Sequence, residues 1–281
     1  MPVSFTGENH SFLVPLTLSA LTLGREVDFE ERVAVAARAG FAGIGLRAED
    51  YTQAIAAGWD DAGLLAVLHR YGVAVTEVEL LAEWAGLPGQ RVKEETIFHV
   101  ARTFGVHHLT AALLRRPPRD VVHSFRQLCR RAGPHRVALE FMPFGGLPDP
   151  ASAWELVTRA GASNAGLLVD AWHWSRAGAR PEDLRAIPAE RIFGVQLSDV
   201  GPVPYADLRV EALHHRLPPG EGYGDLAALI GALRRAGVRA PVSVEVTSDE
   251  LLAQGLQATA DRVMAAARSV LGTSRAGPSS A

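Results

Sequence analysis

Cysteine is nearly missing. Cys129 is the only one in 281 residues, so no disulfide can form within the chain, which suits a reducing compartment. It falls in the helical pattern VVHSFRQLCRRAG and reads as a half-buried core thiol rather than a nucleophile. No apolar run approaches the roughly 20 residues needed to span a bilayer. The start of the chain also lacks the look of a signal peptide: Glu8 sits where positive charge belongs, and PLTLSALTLG is broken by polar residues. These absences predict a soluble, cytoplasmic protein with no membrane partner. Positive charge is not in surplus either. Lys and Arg number 28 against 31 Asp and Glu, a formal charge of −3, which argues against a nucleic-acid partner. The ten histidines are dispersed rather than gathered in a tract. Finally, ALTLGR (20–25) follows the first β-rich run where an open dinucleotide-binding sheet would carry G-x-G-x-x-G.

What is present is an alternation. Short apolar, β-rich runs at 16–23, 43–47, 73–80, 107–114, 136–143, 165–172, 191–199 and 241–246 each precede a helical pattern. Those patterns fall at 29–40, 60–72, about 90–104, 118–132, 150–161, 181–187, 225–237 and 249–271, with a long loop over 200–224. Eight β–α units in a chain of this length predict an α/β fold, a single (β/α)8 TIM barrel over 1–271, in preference to an open doubly wound sheet. The small, polar tail at 272–281 is expected to be disordered.

In such a barrel, functional groups sit at the C-terminal ends of the strands. Four successive strands carry Glu140 (ALEFMP), Asp170 (LLVDAW), Gln196 (FGVQLSD) and Glu245 (VSVEVTS) there. Two residues before each lie Ala138, Leu168, Gly194 and Ser243, which share their inward face. Small residues beneath polar ones leave room for a ligand set over the barrel axis. Three inward carboxylates without a basic partner on their own strands would repel one another and be costly to desolvate. One divalent cation resolves that conflict. The oxygen-rich set of Glu140, Asp170, Gln196 and Glu245 favours Mn²⁺, Mg²⁺ or Co²⁺, with Zn²⁺ still open because His173 could add a nitrogen. The plainer alternative for D-x-x-H is that Asp170 caps the next helix and His173 packs locally.

These residues resemble the xylose-isomerase-like barrel superfamily of sugar-phosphate isomerases and epimerases, best from Glu140 to Glu245. The resemblance implies metal ligands at Glu140, Asp170, Gln196 and Glu245, with His173 behind them. Gln196 departs from the usual His and is similar to 3-dehydroshikimate dehydratases, as are AIPAERIFGVQLSD and HHRLPPGEGYGD. The implied activity is isomerisation, epimerisation or dehydration of a small polyhydroxylated carbonyl compound through an enolate. His173 is the expected acid or base, and Glu140 and Glu245 the expected proton shuttles. Substrate contacts are expected from Arg216, His215, Arg47 and Glu79. Trp84, Trp172 and Trp174 could wall the pocket, and Glu221 would order the glycine-rich loop. His107 and His108 start the fourth strand, away from the site. A homo-oligomer is compatible with these features. The competing class is a non-catalytic sugar-binding barrel, which would show eroded ligands.

Overall fold

Strand pairing follows chain order all the way round. The structure, a computed structural model, describes residues 15–82, 84–85, 91–106 and 108–272. Its strands are β1 (Leu16–Leu18), β2 (Gly43–Arg47), β3 (Ala74–Leu81), β4 (His108–Ala112), β5 (Arg136–Glu140), β6 (Ala165–Asp170), β7 (Ile192–Leu197) and β8 (Val242–Val244). Every neighbouring pair is parallel, and β8 returns to pair with β1, so the sheet closes into an eight-stranded barrel. The helices around it are α1 (Phe29–Ala39), α2 (Ala48–Ala56), α3 (Asp61–Tyr71), α4 (Arg91–Phe104), α5 (Val121–Ala132), α6 (Pro150–Ala160), α7 (Ala171–Arg176), α8 (Leu208–His214), α9 (Leu226–Arg235), α10 (Asp249–Leu252) and α11 (Leu256–Leu271). The fold is a single (β/α)8 TIM barrel, as the alternation predicts. The expected tail lies outside the described residues from 273 on, as does His107.

Side-chain polarity explains why the sheet closes. Outward residues such as Ile44, Leu46, Val78, Leu109, Val137, Leu139, Leu167, Val169, Val195 and Val244 join one buried core under the helices. Alternation turns their neighbours inward, where Ala138, Leu168 and Phe193 form a separate small cluster. Phe193 also carries the Arg136 guanidinium 5.0 Å from its ring centre, so this end of the interior is filled. Gly194 is small for a reason: a Cβ there would lie 2.5 Å from Cδ1 of Leu168, its register partner on β6. Helix starts follow the expected chemistry. Asp28, Asp60 and Asp149 accept backbone hydrogen bonds from Glu31, Gly63 and Ser152 at 2.8, 2.8 and 2.7 Å.

Some boundaries differ from the sequence reading. The run at 16–23 is a strand only as far as Leu18. A 3₁₀ turn, Ala20–Leu23, then follows, tied to β8 by Thr22, which donates to Val244 O and accepts from Val246 N. The last helix is broken before Gly255, whose φ of 99° a helix cannot contain. The 181–187 pattern is a 3₁₀ turn, Pro181–Ala186, and α2, α7 and α8 were not anticipated. Among the described residues no helix is long and apolar enough to cross a membrane.

Cys129 is buried on α5, and burial pushes its thiol pKa up to about 12. A thiol-reactive probe at pH 8 should therefore leave the folded protein unlabelled and label it fully in guanidinium. Labelling of the folded chain at the denatured rate would contradict this placement.

Candidate metal centre

The ends of β5 and β6 deliver Glu140 and Asp170, and α7 begins at once after β6, so His173 sits one turn on from Asp170. Asp170 has two jobs, one for each oxygen. Oδ1 caps α7 by accepting the His173 amide at 2.7 Å, while Oδ2 accepts from Arg216 Nη1 at 2.8 Å. Capping and site placement are thus not alternatives: the cap aims the imidazole. His173 Nε2 lies 3.5 Å from Glu140 Oε1. One ligand atom each from Glu140, Asp170 and His173 lie within 4.8 Å of one another, and all three residues are buried.

Arg216 arrives from the long seventh loop. Its segment is stitched on both sides: Asp199 and Leu217 exchange backbone hydrogen bonds at 2.8 and 3.0 Å, and the Arg216 amide donates to Thr247 O at 3.0 Å. Arg216 Nε donates to Ala212 O at 2.9 Å, Nη1 reaches Ser198 Oγ at 3.2 Å, and Glu245 Oε2 is 3.1 Å away. Its guanidinium lies over Trp172, 5.4 Å from the ring centre.

In the metal-free chain this crowding displaces the titrations. Burial raises Glu140 well above the usual carboxylate range, and the nearby Glu245 and Asp170 add to it. Glu245 is pushed up to about 8 by burial, against the pull of Arg216. Burial would also raise Asp170, but Arg216 and His173 outweigh it and hold the carboxylate low. Burial lowers His173 to about 3, with Arg216 adding to the effect against the opposing pull of Asp170. A neutral imidazole beside a Glu140 that favours its protonated form is no ion pair, despite the 3.5 Å approach.

The residues present fit a divalent cation. The donor set holds carboxylates that crowd one another without it, and a neutral imidazole. Gln196 stands in register with Asp170 at the end of β7, and its buried Oε1 has no hydrogen-bond partner among the described residues. His173 Nδ1 is in the same condition. The triad nonetheless differs from the four oxygens expected at Glu140, Asp170, Gln196 and Glu245. His173 enters it because α7 turns the ring back over β5. Glu245 is outside it because its carboxylate is drawn to Arg216 and to Ser19 Oγ, 3.3 Å away.

The other expected contacts have local partners. Arg47 binds Asp50 through Nε and Nη2 at 3.0 and 2.5 Å. Glu79 accepts from Ser19 Oγ at 3.1 Å and Ala20 N at 3.3 Å, and burial raises its pKa. His215 stacks on Tyr205, ring centres 4.5 Å apart, rather than joining the triad. Of the tryptophans, Trp172 touches His173, edge to face at 5.1 Å. Trp84 packs on Phe125 and donates to Ala112 O, and Trp174 packs on Phe141.

Sequence reasoning missed Asp199. Its carboxylate accepts the amides of Val200, Gly220, Gly222 and Gly224 at 2.8, 3.0, 3.2 and 2.9 Å. A Cβ on Gly222 would sit 2.6 Å from Asp199 Oδ1, so the alternate glycines of GEGYG were the available signal. Glu221, expected to order this loop, pairs with Arg262 at 2.6 Å and so ties the loop to α11. Asp199→Ala should cost about 3 kcal/mol of stability, since four amides lose a charged acceptor. Urea unfolding measures it, and a loss below about 1 kcal/mol would show that water replaces the carboxylate.

Fold and site together define a TIM-barrel protein with a buried, metal-competent triad at the C-terminal end of its strands. Residues 33–269 match the model of the xylose isomerase-like TIM barrel family, and the chain belongs to that family. It is 33% identical to a 3-dehydroshikimate dehydratase of Pseudomonas aeruginosa over 146 residues, 51% of this chain and 23% of that protein. It is 32% identical to an inosose isomerase of Bacillus subtilis over 117 residues, 41% of either chain. The matched stretches thus span under half of either relative. Among solved structures, the IOLI protein with a bound zinc atom superposes with a TM-score of 0.83 at 20% identity, covering 93% of this chain and 99% of that one. That likeness shows the fold.

Proposed function

We propose that the protein is a divalent-metal-dependent isomerase, epimerase or dehydratase acting on a polyhydroxylated carbonyl compound through an enolate. The observation that carries this reading is the convergence of Glu140, Asp170 and His173 within 4.8 Å. The kinship with inosose isomerases and dehydratases supports the substrate class. Gln196 and Glu245 are the further ligands, the first through its unpartnered oxygen and the second by leaving Arg216. Mn²⁺, Mg²⁺ and Co²⁺ suit the oxygens. Zn²⁺ suits the set equally once His173 is counted, and the IOLI protein holds zinc in the same fold.

When bound, such an ion withdraws charge from a carbonyl and a neighbouring hydroxyl, which acidifies the C–H between them. The chain's own groups move the proton. Glu245, pushed up to about 8 by burial, and Glu140, raised well above the usual carboxylate range, can accept and return it, and they approach from different strands. Return to the opposite face gives an epimer, and return to the neighbouring carbon gives an isomer. Departure of a β-hydroxyl, with a proton supplied at that oxygen, gives the dehydrated product. His173, with Nδ1 unpartnered, serves as acid or base for the hydroxyl. Arg216 orients the carbonyl from its seat on Trp172, with Arg47, Glu79 and His215 as outer contacts.

The test is proton exchange. Ketoses, an inosose and 3-dehydroshikimate, each incubated in D₂O with protein and Mn²⁺, should take up deuterium next to the carbonyl for at least one of them. Chelation should stop the uptake. Absence of label in every case, with metal bound, would overturn the reading.

A further inference from the structure

One buried carboxylate takes no part in that chemistry. Glu77 is 2% exposed, and a slip in strand register puts it inside the barrel. Ile44 pairs with Val75 but Gly45 with Glu77, so Thr76 is an extra residue on β3. The bulge resets the alternation. Val75 and Val78 both join the core under the helices, and Glu77 and Glu79 both turn inward. The residue facing Glu77 on β2 is Gly45, where a Cβ would lie 2.9 Å from Glu77 Oε1 and 2.8 Å from Glu79 Oε1.

The surroundings of Glu77 are rich in oxygen and poor in positive charge. Its charged neighbours, Glu79 and Glu245, are both acidic, and only the Ser243 hydroxyl eases it toward the charged form. Arg47, beside Glu79 in the strand register, is bound to Asp50. Glu77 Oε1 has no hydrogen-bond partner among the described residues. Thr110 is a second, independent orphan. It turns inward from β4, between outward Leu109 and Ala111, and is 1% exposed. Its Oγ1 also lacks a partner among the described residues, and β4 pairs directly with β3. Ala138, Leu168 and Phe193 fill the interior on the β5–β7 side, so these polar groups gather on the other. Buried oxygens left without partners are costly unless something meets them.

We propose that Glu77 and Thr110 hold a hard monovalent cation, Na⁺ or K⁺, inside the barrel beneath the metal centre, with Glu79 and Ser243 completing its oxygens. Ser243 lies two residues before Glu245 on its strand, and Glu77 two before Glu79, which sets this group one inward step below the strand ends. Donors that are all oxygen suit a hard ion. Only Glu77 brings an uncommitted charge, since Glu79 already accepts from Ser19 and Ala20, so a single positive charge balances the site. The ion competes with a proton, because burial raises Glu77 well above the usual carboxylate range. The site shares no residue with the Glu140, Asp170 and His173 triad and stands whether or not the metal-dependent reading does.

Melting temperatures of the full chain are compared in NaCl, KCl and tetramethylammonium chloride at one ionic strength, in chelator so that the metal centre plays no part. Sodium or potassium should raise the melting temperature by at least about 4 °C over tetramethylammonium. Glu77→Gln keeps the shape of the side chain without its charge and should abolish the difference. Thr110→Val removes a lone pair and should weaken the apparent affinity for the ion at least about threefold. The infrared difference spectrum on adding the ion should show loss of a protonated carboxyl, and that loss should be missing in Glu77→Gln. Equal melting temperatures in the three salts, or a difference undiminished in Glu77→Gln, overturns the proposal and leaves Glu77 with its proton. If Glu77→Gln does not fold, an undiminished salt difference in Thr110→Val overturns it instead.

Discussion

Asp170→Asn should lower the affinity for Mn²⁺ at least about 100-fold, equivalent to about 2.7 kcal/mol, and abolish proton exchange at the substrate carbon. Asparagine keeps the shape of the side chain and can still accept the His173 amide, so α7 should keep its cap and the barrel its fold. What disappears is the charge. Asp170 is the triad carboxylate that its surroundings hold ionised, because Arg216 at 2.8 Å outweighs the penalty of burial. Removing outer-layer partners of metal ligands already costs 10–100-fold, so loss of a charged direct ligand should cost no less. Arg216 would retain Glu245 at 3.1 Å, which limits the damage to the metal-free fold. Titration of Mn²⁺ into variant and parent, with melting temperatures in a chelator, separates the two effects. An unchanged affinity would remove Asp170 from the centre.

The metal-free protein should lose stability as the pH rises from about 4.5 to about 8, and added Mn²⁺ should reverse the loss. Glu245 titrates near 4.5 when unfolded and about 8 when folded, so within that window the native state binds more protons than the unfolded one. Stability then falls with rising pH, at up to about 1.4 kcal/mol per unit for each such group, and levels off above pH 8. Glu140, also raised by burial, pulls in the same direction, while His173, lowered to about 3, opposes them up to about pH 6.5, so the fall is steepest above that value. Asp170 is shifted the other way, and its contribution changes only below the ordinary carboxylate range. A fall of at least about 5 °C in melting temperature between pH 5.5 and 8 is expected in chelator. Mn²⁺ should raise the melting point more at pH 8 than at pH 5.5, where protons compete for the same oxygens. A flat profile in chelator, or an equal metal effect at both pH values, would contradict the account.

The barrel was legible because its signals are long-range and redundant: eight apolar runs, each with a helical pattern behind it. The placement of Glu140, Asp170 and Gln196 followed from strand periodicity, since a period of two leaves one choice of face. Contacts made by loops were another matter. Nothing in HHRLPPGEG says that Arg216 will reach back to Asp170, 46 residues earlier, because that depends on how Asp199 folds the glycines around itself. His215 is adjacent in sequence yet turns to Tyr205, because it still ends α8, its amide bonded to Glu211 O, while Arg216 already belongs to the segment stitched to Thr247. Trp84 illustrates a related difficulty. Its position after β3 suggested a pocket wall, but the indole fills the space beside Phe125. Short helices also escaped detection. Six residues, as in α7, do not complete two turns, so no periodicity can announce them.

Phe193, capped by Arg136 and packed on Ala138 and Leu168, plugs the inside of the cylinder below the metal centre. Among the described residues that end of the interior is filled, so a molecule that reached the centre from the strand ends would have to leave the same way. Reactant and product must take turns at a single entrance, so each excludes the other while it is bound.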